Sequence, residues 1–338
     1  MKLLTLVVPC YNSASYMRRC VDSMLPCGIE LDILLIDDGS TDETGTIADE
    51  YAAKHPDCVR VIHQENGGHG EGLNQGIRHA LGLYLKSVDS DDRLDTPSLM
   101  KMLDLLRAHT DEPDQLDLIV NDYVYDRQDE PCCFSVSYRG QLDPDTVMTW
   151  DTVRSFPIWK QFMIHSLTYR TQLLRDMGLE LPKHTFYEDN LYIYQPLPYV
   201  KKIAYLTEPL YGYFIGRADQ SVNDGMLLRR LDQVTAICEK MVTSYPYETL
   251  RAQPKKLRRY MMNNLAGQLF TTSAVQYLSG ESGVQKNREM WERIRTFDPV
   301  LFKKLRSHPL GFFTVLPGRA GRRLLVFAYQ TGRKMIRC

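Results

Sequence analysis

The chain has 338 residues, of which 43% are hydrophobic and 25% are charged, the usual mixture of a globular protein. This composition excludes a wholly disordered chain, a collagen-like fibre and a disulfide-stapled miniprotein. The net charge of −1 hides an asymmetry, because residues 251–338 hold 18 Lys and Arg against 4 Asp and Glu. This tail therefore carries +14, and residues 1–250 carry −15.

The first half of the chain alternates short apolar runs with helical patterns. The apolar runs predict strands at residues 3–8, 31–37, 58–63, 83–89 and 117–124. The patterns between them predict helices at residues 14–24, 43–54, 71–81 and 97–108. Strands that alternate with helices indicate βαβ units, so we expect an α/β fold whose mostly parallel, twisted sheet is flanked by helices. In such a sheet, ligands bind at the carboxyl ends of the strands.

The second half of the chain changes character. Aromatic-rich segments and prolines fill residues 125–225, and helical patterns then follow at residues 224–245, 254–278, 284–296 and 320–336. We therefore expect a helical C-terminal extension, and we place the domain boundary between residues 222 and 223.

Two features bear on the cellular compartment. No apolar run approaches the roughly 18 residues that a membrane-spanning helix needs, and the N-terminal run of residues 3–10 lacks a signal-peptide pattern. The eight cysteines include no Cys-x-x-Cys pair, which favours free thiols in a reducing compartment. We expect a cytoplasmic protein.

Polar and acidic segments follow three of the predicted strands: VPCYN (8–12), DDGSTDET (37–44) and DSDD (89–92). Each alone is also a good turn or helix start. Three such segments at successive strand ends of one sheet indicate a ligand site.

The DSDD segment carries the strongest chemical signal. Its three carboxylates lie within four residues and repel one another unless a cation joins them. Hard oxygen ligands suit Mg²⁺ or Mn²⁺, often together with a substrate diphosphate. Asp89 and Asp91 alternate along the chain and so project on one side of an extended strand end. The alternative is a solvated acidic turn before the next helix.

A glycine-rich segment, NGGHGEGLNQG (66–76), follows the third strand. Glycines permit close approach of the backbone to a ligand. A dinucleotide fingerprint would follow the first strand, and a Walker loop would contain Gly-Lys-Ser/Thr, so this segment is neither.

The four motifs together, in this order and spacing, resemble glycosyltransferase family 2, whose members have the GT-A fold of nucleotide-diphospho-sugar transferases. The resemblance covers about residues 3–220. YEDN (187–190) resembles the family's Glu-Asp pair at a helix start, and YGYFIGRADQSV (211–222) resembles the segment that closes over the donor.

The resemblance implies a GT-A catalytic domain over residues 1–222, followed by a helical, basic region over residues 223–338. It implies an inverting transfer of a hexose-type sugar from a nucleotide-diphospho-sugar to an acceptor hydroxyl. UDP is the favoured nucleotide, and a glycan or lipid-linked acceptor in cell-surface or capsular polysaccharide synthesis is expected. Mn²⁺ or Mg²⁺ is the implied cofactor.

The same resemblance assigns roles to individual residues. Asp189 is the implied catalytic base, with Glu188 beside it. The implied donor-binding residues are Pro9, Tyr11, Asn12, Asp38 (to the base), Gly67, Gly68, Asn74, Asp89 (to the ribose) and Arg217 (to the diphosphate). Asp91 is the implied metal ligand, and the sequence leaves open whether Asp89 or Asp92 also binds the ion. Without the resemblance, Glu188 and Asp189 would be interpreted as acids that stabilise the N-terminus of a helix through its dipole.

The chain departs from the family pattern in one place. Many members have Ala-Arg-Asn where this chain has Gly72-Leu73-Asn74, so an arginine near the donor is missing. Arg78, Lys86 and His69 are the candidate replacements.

Other function classes remain to be compared. A nucleotidyltransferase of related fold would need a basic, glycine-rich loop after the first strand, and VPCYNSASY lacks one. A non-catalytic nucleotide-sugar-binding protein remains an alternative.

In the tail, cations interleave with apolar residues around 312–327. This pattern fits either contact with an anionic membrane or a helical cap packed on the body or on another subunit. No nucleic-acid recognition motif accompanies this charge.

Overall fold

The computed structural model describes residues 1–111, 113–127, 130–144, 146–215 and 224–336. These residues form two compact units. The first unit lies within residues 1–154 and 162–215, and the second within residues 155–161 and 224–336.

The first unit is a mixed sheet with helices on its faces. Its strands are β1 Leu4–Cys10, β2 Leu31–Asp37, β3 Val59–His63, β4 Tyr84–Ser87, β5 Arg93–Leu94, β6 Leu118–Arg127, β7 Glu130–Val136, β8 Leu167–Arg170 and β9 Ile203–Phe214. Its helices are α1 Met17–Met24, α2 Thr44–Lys54, α3 His69–His79, α4 Thr96–Arg107, α5 Thr171–Asp176 and α6 Asp189–Tyr194. The predicted α/β class is confirmed.

The sheet is parallel in its first half and mixed beyond it. The strand order is β3-β2-β1-β4-β8-β6-β9-β5, with β7 beside β6. The strands from β3 to β4 in this order are parallel, as predicted, and every residue of β1 and β2 is buried. β8 lies antiparallel between β4 and β6, so the fifth predicted strand does not pair with the fourth. The pairing with β8 joins segments far apart in the chain, which local sequence patterns do not reveal.

The strand register brings the motif segments to one edge. Cys10 pairs with Asp37, Asp37 pairs with His63, and Val7 pairs with Ser87. Because these strands are parallel, the segments that follow them all leave the sheet at its carboxyl edge.

The second unit is a helical bundle. Its helices are α7 Asp224–Arg229, α8 Leu231–Val242, α9 Tyr247–Ala252, α10 Lys255–Leu278, α11 Glu281–Phe297, α12 Pro299–Ser307, α13 Pro309–Thr314 and α14 Gly318–Ile336. The long helix α10 contacts each of the others. Asp298 caps α12 by accepting hydrogen bonds from the amides of Val300 and Leu301 (2.8 and 2.9 Å), ahead of a proline at the first helical position. The helical C-terminal region is thus confirmed.

In the part of the chain that the structure describes, no helix combines the length and apolar character that crossing a bilayer requires.

Helix α3 packs unusually close to β1 through two glycines. A Cβ on Gly76 would lie 2.4 Å from Cγ1 of Val7, and a Cβ on Gly72 would lie 2.9 Å from Cβ of Pro9. Even a methyl group would collide at both positions, since real carbon contacts are longer than 3 Å. This accounts for glycine at position 72, where the family pattern has alanine. The close packing also carries the start of α3 to the carboxyl edge of the sheet.

Gly76→Ala is expected to destabilise the protein. Overpacking against both methyls of Val7 costs about 1–3 kcal/mol, while the better helix propensity of alanine returns up to about 1 kcal/mol. Urea denaturation should therefore show a net loss of about 1–2 kcal/mol. Gly140→Ala is the matched control, because no atom lies within 4 Å of the added carbon. Equal stability of the two variants would contradict the packing argument.

Candidate active site

The ends of β1, β2 and β4 are bonded into one edge. Asn12 has a left-handed backbone (φ 50°), its Oδ1 accepts from the amide of Thr41 (2.9 Å), and its own amide donates to Oγ of Ser40 (3.1 Å). The hydroxyls of Ser13 and Ser90 lie 2.8 Å apart, which joins the first motif to the acidic one. These bonds fix the three segments relative to one another.

Two predicted donor-binding residues of β1 and its following turn have different surroundings. Tyr11 is 52% exposed, so its ring is available for stacking at this edge. Pro9 is buried in β1, where its side chain faces Gly72 of α3. Pro9 therefore contributes to the packing of α3, and its predicted role in donor binding stays a prediction.

Asp38 organises the glycine segment. Its buried carboxylate accepts from the amide of Gly67 (2.7 Å, Oδ1), the amide of Gly68 (2.8 Å, Oδ2) and Nε2 of Gln64 (2.6 Å, Oδ1). Gly68 has a φ of 84°, a conformation that favours glycine. Both oxygens of Asp38 therefore hold the glycine segment in shape, and the contact with the nucleotide base that the sequence predicts stays a prediction.

Asn74 joins the segment of residues 181–184 to α3. Its buried side chain donates to the carbonyl of Leu181 (2.9 Å) and accepts from the amide of Leu181 (2.9 Å). The amide of His184 in the same segment donates to the carbonyl of Gly67 (2.7 Å). Asn74 therefore joins α3 to this segment, and its predicted position beside the nucleotide stays a prediction.

His69 joins the two acidic motifs. Its Nδ1 lies 2.7 Å from Oε1 of Glu188, and its Nε2 lies 3.2 Å from Oδ1 of Asp89. Burial disfavours a charge on this imidazole, but the two carboxylates outweigh burial and raise the pKa of His69 well above its usual value. A charged imidazolium therefore bridges Asp89 and Glu188, which lie far apart in the chain. From the sequence, His69 was only one of three candidates to replace a missing arginine. The sequence feature that could have indicated its role is its position directly after Gly68, at the start of α3.

The other two candidate replacements are engaged elsewhere. Arg78 pairs with Glu71 (3.1 Å) and Glu180 (2.5 Å). Lys86 is fully buried, and its Nζ donates to the carbonyl of His165 (2.6 Å) and to Oδ1 of Asn121 (3.0 Å). Burial lowers the pKa of Lys86 to about 7. Of the three, His69 is the one that lies between the acidic motifs.

Asp189 is the first residue of α6, next to Glu188. Its Oδ1 accepts from the amide (2.9 Å) and the side-chain nitrogen (3.0 Å) of Asn190. Burial, together with the charge of Glu188, raises the pKa of Asp189 to about 6. Tyr187, just before the pair, has a left-handed backbone (φ 71°), a strained conformation for a bulky residue.

The acids of the DSDD segment have different environments. Asp92 is buried, and its carboxylate accepts from the hydroxyl of Tyr211 (2.5 Å) and the amide of Phe214 (2.7 Å). Burial and the nearby charges of Asp89 and Asp91 raise the pKa of Asp92 well above its usual value. Asp92 therefore ties β9 to the acidic turn, whereas the side chain of Asp89 is one-third exposed.

The side chains of the DSDD segment can be compared with the ligands that a metal ion needs. Among the described residues, no three His, Cys, Asp or Glu side chains converge as a metal-binding group. Asp92, which the sequence offers as a ligand, directs both oxygens at Tyr211 and Phe214. Asp89 and Asp91 remain as two carboxylates, which suits a divalent ion that takes its other ligands from a substrate diphosphate and water.

Most of the predicted site residues thus fall into three groups. Asp38, Gly67, Gly68, His69, Asp89, Glu188 and Asp189 follow one another through hydrogen bonds or along the chain. Pro9, Asn74 and Asp92 support them from inside the protein. Arg217 lies outside the described residues.

Known proteins are similar to this chain in sequence. Residues 5–120 match the family described as Glycosyl transferase family 2. The "Uncharacterized glycosyltransferase EpsJ" of Bacillus subtilis (strain 168) is 28% identical over 223 residues, which cover 62% of this chain and 60% of that protein. The chain thus spans less than two thirds of this relative.

Solved structures share the fold at low identity. The crystal structure of S. aureus TarS 1-349 in complex with UDP-GlcNAc has a TM-score of 0.65 at 17% identity, covering 98% of this chain and 92% of that one. The mannosyltransferase PcManGT from Pyrobaculum calidifontis, in complex with GDP-Man and Mn²⁺, has a TM-score of 0.51 at 15% identity, covering 89% and 84%.

An α/β sheet with acids at its carboxyl edge and a helical C-terminal region defines a GT-A type fold, as the sequence predicts. Residues 5–120 of the chain resemble glycosyltransferase family 2.

Asp38→Asn is expected to loosen the glycine segment. An amide nitrogen would replace one acceptor and face backbone donors, which costs about 1–3 kcal/mol. Hydrogen exchange should speed up at the amides of Gly67 and Gly68, and thermal unfolding should occur at a lower temperature. Asp57→Asn, at an exposed turn, is the control and should leave both measurements unchanged. Unchanged exchange in Asp38→Asn would contradict the role given to this carboxylate.

Proposed function

We propose that the chain is an inverting glycosyltransferase, which moves a hexose-type sugar from a nucleotide-diphospho-sugar to an acceptor hydroxyl. Residues 1–222 would form the catalytic domain, and residues 223–338 a helical, basic region. The observation that carries the proposal is the bridge from Asp89 through His69 to Glu188, with Asp189 beside it. The proposed acceptor is a glycan or a lipid-linked acceptor in cell-surface or capsular polysaccharide synthesis. The proposed location of the enzyme is the cytoplasm.

The donor would lie along the carboxyl edge. The exposed ring of Tyr11 offers a surface for the base, and Asn12 fixes the turn beside it. Asp89 is assigned to the ribose and Arg217 to the diphosphate. The likeness to TarS, solved with UDP-GlcNAc, supports a UDP-sugar. PcManGT, solved with GDP-Man, is the reason to assay GDP-sugars beside it.

A divalent cation, Mn²⁺ or Mg²⁺, would be held by Asp91 together with Asp89. When bound, such an ion neutralises the negative charge that gathers on a leaving diphosphate. The Mn²⁺ in the PcManGT complex supports this assignment. The hydrogen bonds of Asp92 to Tyr211 and Phe214 leave it the task of holding the acidic turn in place.

Asp189 is the proposed catalytic base. Glu188 is engaged by His69. Among the described residues, the hydrogen-bond partner of Asp189 contacts only its Oδ1, which leaves Oδ2 for a substrate. With a pKa of about 6, Asp189 is ionised at neutral pH and still basic enough to accept the proton of an acceptor hydroxyl. That hydroxyl would attack the anomeric carbon opposite the diphosphate, so the bond to the diphosphate oxygen breaks and the configuration inverts.

Asp189→Asn should stop turnover and preserve donor binding. A panel of UDP- and GDP-sugars is assayed for hydrolysis and transfer, and binding is followed by thermal shift in the presence of Mn²⁺. Loss of the base is expected to lower the rate by about 10²–10⁴-fold. In the wild type, the rate should fall about tenfold per pH unit below about pH 6, because Asp189 is then protonated.

The exposed Asp111→Asn is the matched control and should retain full rate. Equal loss of binding and turnover in Asp189→Asn would count against its role as base. Binding of nucleotide sugars without any turnover in the wild type would favour a binding protein instead.

The metal assignment predicts different behaviour for neighbouring acids. Excess chelator should abolish turnover, and Mn²⁺ or Mg²⁺ should restore it. Asp91→Asn should raise the Mn²⁺ concentration for half-maximal rate about tenfold, equivalent to ~1.4 kcal/mol of binding. Asp92→Asn, which keeps an acceptor for Phe214, should leave that concentration unchanged.

Full turnover in excess chelator would remove the ion from the mechanism. A shift in Asp92→Asn with no shift in Asp91→Asn would return Asp92 to the set of ligands.

A further inference from the structure

Helix α14 has apolar residues on two opposite faces. Gly321, Leu325 and Tyr329 recur every four residues and are buried within the helical unit, where α14 contacts α10 and α13. Leu324 and Phe327 lie on the other face and are 48% and 66% exposed. One apolar face thus suffices to hold the helix, and the second has no role within the described part of the helical unit.

Cations border the exposed face. Arg319 and Arg323 are exposed, and they lie eight and four positions before Phe327, on neighbouring turns of the helix. Neither forms an ion pair with a described residue, whereas Arg322 pairs with Glu281 (3.7 Å). The exposed face of α14 therefore combines two large apolar side chains with two guanidinium groups available to an anionic partner.

The surrounding sequence has a one-sided charge. Residues 299–338 contain nine Lys and Arg and no Asp or Glu. On α12 and α13, Lys303, Lys304 and Arg306 are exposed, as are Val300 and Phe312. A stretch of forty residues with no acid lacks the internal pairing that a solvated helical face usually has.

We propose that this face of α14 binds the surface of an anionic lipid bilayer. Leu324 and Phe327 enter the boundary between headgroups and acyl chains, and Arg319 and Arg323 bind the lipid phosphates. A helix with an apolar strip and flanking cations, lying in the plane of the interface, is the arrangement that such surfaces select. Charge complementarity favours this occupant over a second copy of the chain, because no carboxylate of residues 299–338 could answer these cations across an isologous contact.

The proposal does not depend on the proposed function, because vesicle binding is measured without donor or acceptor. The full chain is sedimented with vesicles of phosphatidylcholine, with and without phosphatidylglycerol. Binding is expected only to the anionic vesicles, and it should weaken as salt is added.

Two double variants separate the apolar and charged contributions. Arg319→Gln with Arg323→Gln should weaken partitioning about 25-fold, since each cation near an anionic surface contributes about fivefold. Leu324→Ser with Phe327→Ser should weaken it by about tenfold or more, because burial of these side chains drives insertion.

Matched controls lie on the first unit. Ile29→Ser with Leu81→Ser removes two exposed apolar side chains, and Lys54→Gln with Arg139→Gln removes two exposed cations. Both should retain wild-type binding, and circular dichroism should show that all variants are folded.

Three results would overturn the proposal. The wild type could fail to sediment with anionic vesicles, or the α14 and control variants could bind equally. Light scattering could instead reveal an oligomer that Leu324→Ser with Phe327→Ser dissociates without any change in vesicle binding, which would make this face a subunit interface.

Discussion

The arrangement of the acidic edge depends on the ion pairs of His69 with Asp89 and Glu188. Each ring nitrogen of this imidazole meets one carboxylate, at 3.2 and 2.7 Å. Without a cation between them, the acids of the DSDD and YEDN segments would repel one another and separate. The imidazolium compensates that repulsion. It thereby keeps the acidic turn after β4 beside the start of α6.

The acids around this bridge differ in their burial and in their hydrogen-bond partners. Asp92 is buried between Tyr211 and Phe214, so it holds β9 to the acidic turn. Asp38 binds the backbone of the glycine segment. Asp189 combines burial with a neighbouring charge, and its pKa rises toward neutrality. Different surroundings shift the pKa values of similar carboxyl groups apart, so carboxylates of one fold can have different roles.

The position of His69 rests in turn on backbone packing. Gly72 and Gly76 let α3 approach β1 more closely than any side chain would permit, and Asn74 joins the same helix to Leu181. The helix start therefore lies at the carboxyl edge of the sheet, within reach of both acidic segments. Mutations in α3 would then act on the site through geometry rather than by removing a reacting group.

The first four strands, the long helices and the acidic segments at strand ends could be predicted from the sequence, because periodicity and turn chemistry are local properties. The one-sided charge of residues 299–338 also follows directly from the sequence. The tertiary structure decided the insertion of β8 between β4 and β6 and the pairing of His69. It also decided which groups form hydrogen bonds with Asp38, Asn74 and Asp92. These outcomes depend on which distant segments meet, and a single sequence carries no record of contacts between residues a hundred positions apart.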